Sequence, residues 1–104
     1  DPATAEAGKF IAGFKKFLVE NKQPDIIPAV SALGYDAYLT ALRAIEIAGS
    51  AKGAAIRDAL AKVDIEGVTG RITFDENGDA DKDMAFIKIV ENGQFKFLKT
   101  VSVI

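Results

Sequence analysis

The residues best placed to do chemistry in this sequence are the oxygens of Phe74 to Asp83, FDENGDADKD, where Asp or Asn occupies every second position from Asp75 onward. Clustered carboxylate and amide oxygens suit a hard cation such as calcium. An EF-hand loop takes ligands at positions 1, 3 and 5, Gly at 6 and a bidentate Glu at 12. With Asp75 first, Asn77 and Asp79 fit, but Ala80 stands where the bend needs Gly and Phe86 where the twelfth ligand belongs. Moving the frame to put Gly78 at the bend makes Thr73 first and Met84 last, and that frame fails too. The stretch is therefore expected to be a solvated turn, with Asn77-Gly78 supplying the positive φ. No metal ligands and no cofactor are assigned.

Other reactive groups are sparse. The 104 residues include neither Cys nor His, so thiolate nucleophiles, Cys-ligated metals and the commonest general base are missing. Ser31, Ser50 and Ser102 have no His as base. Ser50 with Lys52 is the one conceivable Ser–Lys pair, but Ser50 follows Gly49 at a helix junction, where Ser ordinarily caps. The glycines are scattered rather than gathered before a helix, as a phosphate loop requires. Phe95 and Phe97 with Lys96 and Lys99 could imitate a nucleic-acid platform, but a net charge of -2 and ordinary sheet pairing argue against it. An enzyme is the least supported class, and no nucleic-acid partner is expected.

The elements that carry these residues read as one unit over 1–104, with helices within 1–63 and strands within 71–103. Asp1-Pro2 reads as a helix start. Phe10, Ile11, Phe14, Phe17 and Leu18 follow at helical spacing, and the pattern ends near Asn21-Lys22. Pro24 and Pro28 bracket an extended link. A second helix is predicted over Ala32 to Ala48, with Tyr35, Tyr38, Leu39, Leu42 and Ile45 on its core face and Gly49 as its stop. A third covers about Ala54 to Lys62.

After Asp64 the period changes to two. Arg71–Phe74 reads as a short strand, and Met84–Glu91 and Gln94–Val103 as a hairpin around Asn92-Gly93, a pair suited to a type I′ turn. A two-residue loop pairs Val90 with Phe95, Lys88 with Phe97 and Phe86 with Lys99 on one face. Ile89 with Lys96 and Ile87 with Leu98 fall on the other. Both faces are mixed, so both are expected to be partly covered. From Asp64 to Asp83 seven carboxylates stand against Arg71 and Lys82, whereas the last segment holds Lys88, Lys96 and Lys99 against Glu91. The fold class is α+β: three helices, a short strand and an antiparallel hairpin. No run approaches the roughly 18 apolar residues of a membrane span.

The order of the segments is more specific than any one of them. Gly34-Tyr35-Asp36-Ala37, then Gly67-Val68-Thr69-Gly70, then Phe74-Asp75-Glu76-Asn77-Gly78-Asp79 resembles the C-terminal region of branched-chain amino-acid binding proteins. These are periplasmic solute receptors of ABC transporters with the type I, leucine-binding-protein fold. The resemblance covers Asp1 to about Val101. It implies an α/β parent of two lobes that close on a ligand, non-catalytic, periplasmic or extracytoplasmic, and docking on a membrane permease. It also implies that this chain is a C-terminal segment, proteolytic, engineered or naturally truncated, whose small-molecule ligand would be bound only with the missing lobes. The loop entering the second helix approaches the cleft in that family, which maps to Val30, Ser31 and Ala32. Helix faces and strand edges that the parent covers would be bare here, so a homodimer or segment exchange is expected. A self-standing oligomerising module, or a ligand-sensing regulator domain of the same fold, is the alternative.

Overall fold

The computed structural model describes residues 5–103; the Asp1-Pro2 helix start lies outside them. Three helices come first: α1 (Ala5–Glu20), α2 (Ala29–Ala48) and α3 (Gly53–Leu60). Five strands follow: β1 (Ile65–Gly67), β2 (Gly70–Phe74), β3 (Ala80–Asp81), β4 (Met84–Glu91) and β5 (Gln94–Ser102). The first three strands form one antiparallel sheet in the order β1-β2-β3, and β4-β5 form a separate two-stranded ribbon. The α+β expectation stands, with β1 and β3 as additions that sequence periodicity did not reveal.

Helix α2 begins three residues earlier than its apolar pattern. Pro28 sits at its N-cap with φ -68 and ψ 153, and its carbonyl accepts the Ser31 N–H at 3.0 Å. No side chain caps this end, so nothing in the residue types marked it. The far end is as expected: Gly49 turns left-handed at φ 61, and its N–H closes on the Ile45 carbonyl. Ser50 acts locally, accepting the Lys52 N–H on its hydroxyl oxygen at 3.1 Å just ahead of α3.

The buried stripe of α2 is not the tyrosine stripe. Asp36, Thr40 and Ala44 face inward, four residues apart on one side of the helix. Tyr35, Tyr38, Leu42 and Ile45 are exposed, which corrects their expected place on the core face. Tyr35 instead meets Phe10 of α1 at a centroid distance of 5.0 Å, and Phe10, Phe14 and Phe17 stack along α1. The core itself is small: Ala44, Ala59 and Val63, surrounded by Ile47, Ile56, Leu60, Ile65 and Phe74. Alanines at the crossing let α2 and α3 approach closely.

The hairpin turn has left-handed Asn92 (φ 52) and Gly93 (φ 74), as the type I′ reading required. Glu91↔Gln94, Val90↔Phe95, Ile89↔Lys96 and Lys88↔Phe97 are in the expected register. The register then shifts beside Ile87/Lys88, so Ile87 faces Lys99 and Phe86 faces Thr100. The expected Ile87–Leu98 and Phe86–Lys99 pairs are therefore wrong. The irregularity leaves Leu98 unpaired and puts Val101, rather than Thr100, across from Ala85. Nor are the ribbon's faces covered: Phe86, Ile87, Ile89, Val90, Phe95, Phe97 and Leu98 are all exposed.

This exposure has a measurable consequence. The chain presents 7706 Å² to solvent, against about 5,700 Å² for a compact monomer of this mass. Its radius of gyration is 16.0 Å, against about 13 Å for a compact domain of this length.

The base of the β1–β2 hairpin is clamped by a two-pronged ion pair, in which Arg71 Nε and Nη2 donate to Asp64 Oδ1 and Oδ2 at 2.8 and 2.7 Å. The hydrogen bonds from Arg71, and secondarily its charge, hold the Asp64 carboxyl below the usual range. A depressed folded-state pKa gives a stabilisation that is complete above the ordinary Asp value and disappears as pH falls through the lowered one. In a carboxyl-carbon NMR titration, Asp64 is expected to show a midpoint below that of an unpaired Asp, and Arg71→Gln to return it to the ordinary range. An Asp64 that titrates normally in the unsubstituted chain would show that the pair does not persist in solution.

Candidate functional site

Asp36 is the acid on the buried side of α2 and is only 3% exposed. A carboxylate so placed needs several donors, and one turn supplies them. Val68 N–H donates to Oδ1 at 2.7 Å and Thr69 N–H to Oδ2 at 2.8 Å. The Thr69 hydroxyl also donates to Oδ2. Val68 and Thr69 are the two residues between the paired Gly67 and Gly70 of the β1–β2 hairpin. An acid on a helix thus fastens a turn more than thirty residues later. One turn further along α2, the Thr40 hydroxyl donates to the Asp36 carbonyl at 2.7 Å, which occupies the other polar group on the same buried face.

Two glycines make the contact sterically possible. A Cβ on Gly67 would lie 2.7 Å from the Asp36 carboxylate atoms, too close for any real side chain. Gly70 has φ +109, a conformation that L side chains rarely adopt. Lys82, just past β3, donates from Nζ to the Thr69 hydroxyl oxygen at 3.2 Å. Carboxylate, hydroxyl and ammonium therefore form a chain in which the Thr69 proton is committed to Asp36. The arrangement positions α2, the turn and the end of β3 relative to one another.

Beside this chain lies an open groove of about 370 Å³ between α2, α3 and β2, with Leu33, Ala37, Ile56, Leu60 and Phe74 among its apolar walls and Asp36, Thr69 and Lys82 at its polar edge. A second hollow of about 320 Å³ lies between α1 and α2, against Phe10, Phe14, Phe17 and Tyr35, with Glu6 and Lys9 at its rim.

The acidic stretch is a self-contained turn. Asp75 Oδ1 accepts the Asn77 and Asp79 N–H groups, both at 2.9 Å. Gly78, at φ 85, donates its N–H to the Asp75 carbonyl at 3.0 Å, and the Asp75 N–H closes on the Asp79 carbonyl. Among the described residues no three acids are grouped so as to hold a metal ion.

Val30, Ser31 and Ala32 fall in the first turn of α2 rather than in a loop before it. Val30 is exposed, and Ser31 and Ala32 are half-buried. None of them lines either groove, and they are not brought to the Asp36 cluster. Asp36, within the Gly34–Ala37 motif, is the functional residue that sequence reasoning leaves without a role. The available signal was its chemistry: an Asp followed four residues later by Thr, on the same helix face as Ala44.

Comparison with known proteins gives this geometry a context. Residues 1–94 match the family described as periplasmic binding protein. Among solved structures, the leucine binding protein LivK from Thermotoga maritima MSB8 is 36% identical, with a TM-score of 0.77. The match covers 98% of this chain and 28% of that one, so the chain spans little more than a quarter of the LivK protein's length. No curated protein matches.

The anchor makes a double prediction. Asp36→Ala removes the acceptor for two amides and a hydroxyl and is expected to cost about 3 kcal/mol in urea unfolding. Gly67→Ala displaces the same carboxylate and is expected to cost about 2 kcal/mol alone but clearly less in the Asp36→Ala background, because the two residues couple. Strictly additive losses would mean that the contact is not made.

Proposed function

This chain belongs to the periplasmic binding protein family and carries part of the type I periplasmic binding fold, and from that premise we propose that it contributes the C-terminal segment of an extracytoplasmic receptor for branched-chain or related amino acids. In this reading the whole receptor captures its ligand by closing two lobes about a hinge and delivers it to the membrane permease of an ABC transporter. The work is binding and release without covalent chemistry.

The observation that carries the reading is the match to a leucine binding protein along almost the whole chain, at an identity that extends past fold alone. The Asp36 anchor supports it physically, since it ties the Gly34–Ala37 and Gly67–Gly70 motifs into one unit. Such a unit is a rigid end of a lobe, suited to hold a hinge-proximal hairpin. Among the described residues no helix is long and apolar enough to cross a membrane, which is compatible with a receptor that meets its permease at the membrane surface.

The 104 residues alone are proposed not to hold an amino acid. A free amino acid needs acceptors for its ammonium and donors for its carboxylate in one closed pocket. The proposed cleft residues Val30, Ser31 and Ala32 offer one hydroxyl, and both grooves are open and mainly apolar. A second reading, that the chain also associates with itself, is favoured by its large exposed apolar surface.

Titration calorimetry decides the first reading. The isolated chain is expected to give no micromolar heat signature with leucine, isoleucine or valine, and a receptor that includes these residues to bind at least one of them. Tight binding by the isolated chain would sink the claim that the clamps lie elsewhere; a complete receptor indifferent to all amino acids would sink the ligand assignment.

A further inference from the structure

The β4–β5 ribbon and the α2–α3–β2 groove are both bare, and their chemistries match. Because the strands alternate and Val90 pairs with Phe95 and Lys88 with Phe97, one face of the ribbon collects Phe86, Lys88, Val90, Phe95 and Phe97. Phe86 and Phe97 meet edge to face at 6.1 Å, which makes a firm aromatic ridge. Lys88 has no ion-pair partner among the described residues, whereas Lys96 is paired with Glu91. The groove offers the converse. Its walls are apolar, and Phe74 and Leu60 continue from it into a hollow bordered by Asp75 and Glu76. Arg57 also lines that hollow but is paired with Asp58. Arg71 is engaged by Asp64 and Lys82 by Thr69, so Glu76, Asp79 and Asp81 have no ion-pair partner among the described residues.

We propose that the Phe86–Phe97 face of the hairpin docks into the α2–α3–β2 groove of a second copy of this chain, with Lys88 against the acidic turn that contains Glu76. This rests on the self-association reading above and names its surfaces. Two such contacts related by a two-fold axis close on themselves and give a dimer rather than a fibre. The surface is sufficient: the chain exposes roughly 2,000 Å² more than a compact monomer would, and a stable interface takes about 800 Å² from each partner. The ribbon also needs a cover, because a two-stranded hairpin by itself is marginal in water. Joining two β5 edges in the register centred between Phe97 and Leu98 is disfavoured, because it sets Lys96 opposite Lys99 and like charges across strands repel.

Sedimentation equilibrium of the 104-residue chain tests this. A dimer with a micromolar dissociation constant is expected. Phe95, exposed at 78%, can be changed with little cost to the monomer, and Phe95→Asp is expected to weaken the dimer by about tenfold or more. Lys88→Glu and Glu76→Lys are each expected to weaken self-association several-fold, and an equimolar mixture of the two to form a heterodimer tighter than either homodimer, because the reversed charges meet. The rescue separates a surface effect from misfolding. A dimer indifferent to all three substitutions would overturn the docking surfaces while leaving self-association standing. A chain that stays monomeric throughout would overturn both and leave the bare faces to the remaining length of the receptor. Neither result bears on amino-acid binding, which the calorimetry reads separately.

Discussion

A carboxylate cannot stay inside a protein without donors, and the donors for Asp36 come from a turn that is distant in sequence. That constraint organises the first two-thirds of the chain. Asp36 must face inward from α2, so Thr40 and Ala44 face inward with it. Alanine at that crossing lets α3 come close, and the core forms from Ala44, Ala59 and Val63. The Val68 and Thr69 amides must point at Asp36, so Gly67 must lack a side chain. Lys82 then reaches Thr69 and fixes the exit of β3. One buried charge thus sets the relation of a helix, a turn and the start of the final hairpin.

The rest of the structure is governed by what it lacks. Among the described residues the buried hydrophobic ones are few and mostly small, and no large side chain is fully enclosed. Most of the exposed large apolar residues lie on α2 and on both faces of the β4–β5 ribbon, with Phe17 and Val19 on α1 and Ile26 in the link besides. The matched leucine binding protein is more than three times as long as this chain, and in a longer chain further elements can cover such a surface. It is also the surface proposed above to meet a second copy.

What the sequence made legible was local. Helical spacing located α1 and α3, Gly49 marked the end of α2, and Asn92-Gly93 fixed the hairpin turn, because each depends on residues within a few positions of one another. The acidic stretch was likewise readable as a turn, through Asp75 and Gly78. What was not legible depended on distant partners. The start of α2 has no capping side chain, so nothing in the residue types separates Pro28 from the link before it. The tyrosine stripe looked like a core face because it is apolar, whereas the inward face carries Asp36 and Thr40. The register change near Leu98 lies several residues from the turn, and nothing in the Asn92-Gly93 pair signals it. Val30, Ser31 and Ala32 rest on resemblance alone; the structure places them in the first turn of α2, beside Leu33, which lines the α2–α3–β2 groove.

The central claim is that Asp36 holds the Val68–Thr69 turn and that this anchor, rather than the hairpin, is the firm part of the chain. Amide hydrogen exchange under native conditions addresses it directly. The account predicts that the Val68 and Thr69 amides, which bond to no strand but to the Asp36 carboxylate, exchange as slowly as the buried amides of α2, and that the amides of β4 and β5 exchange much faster in the monomer. Rapid exchange at Val68 and Thr69, at the rate of an open loop, would contradict it.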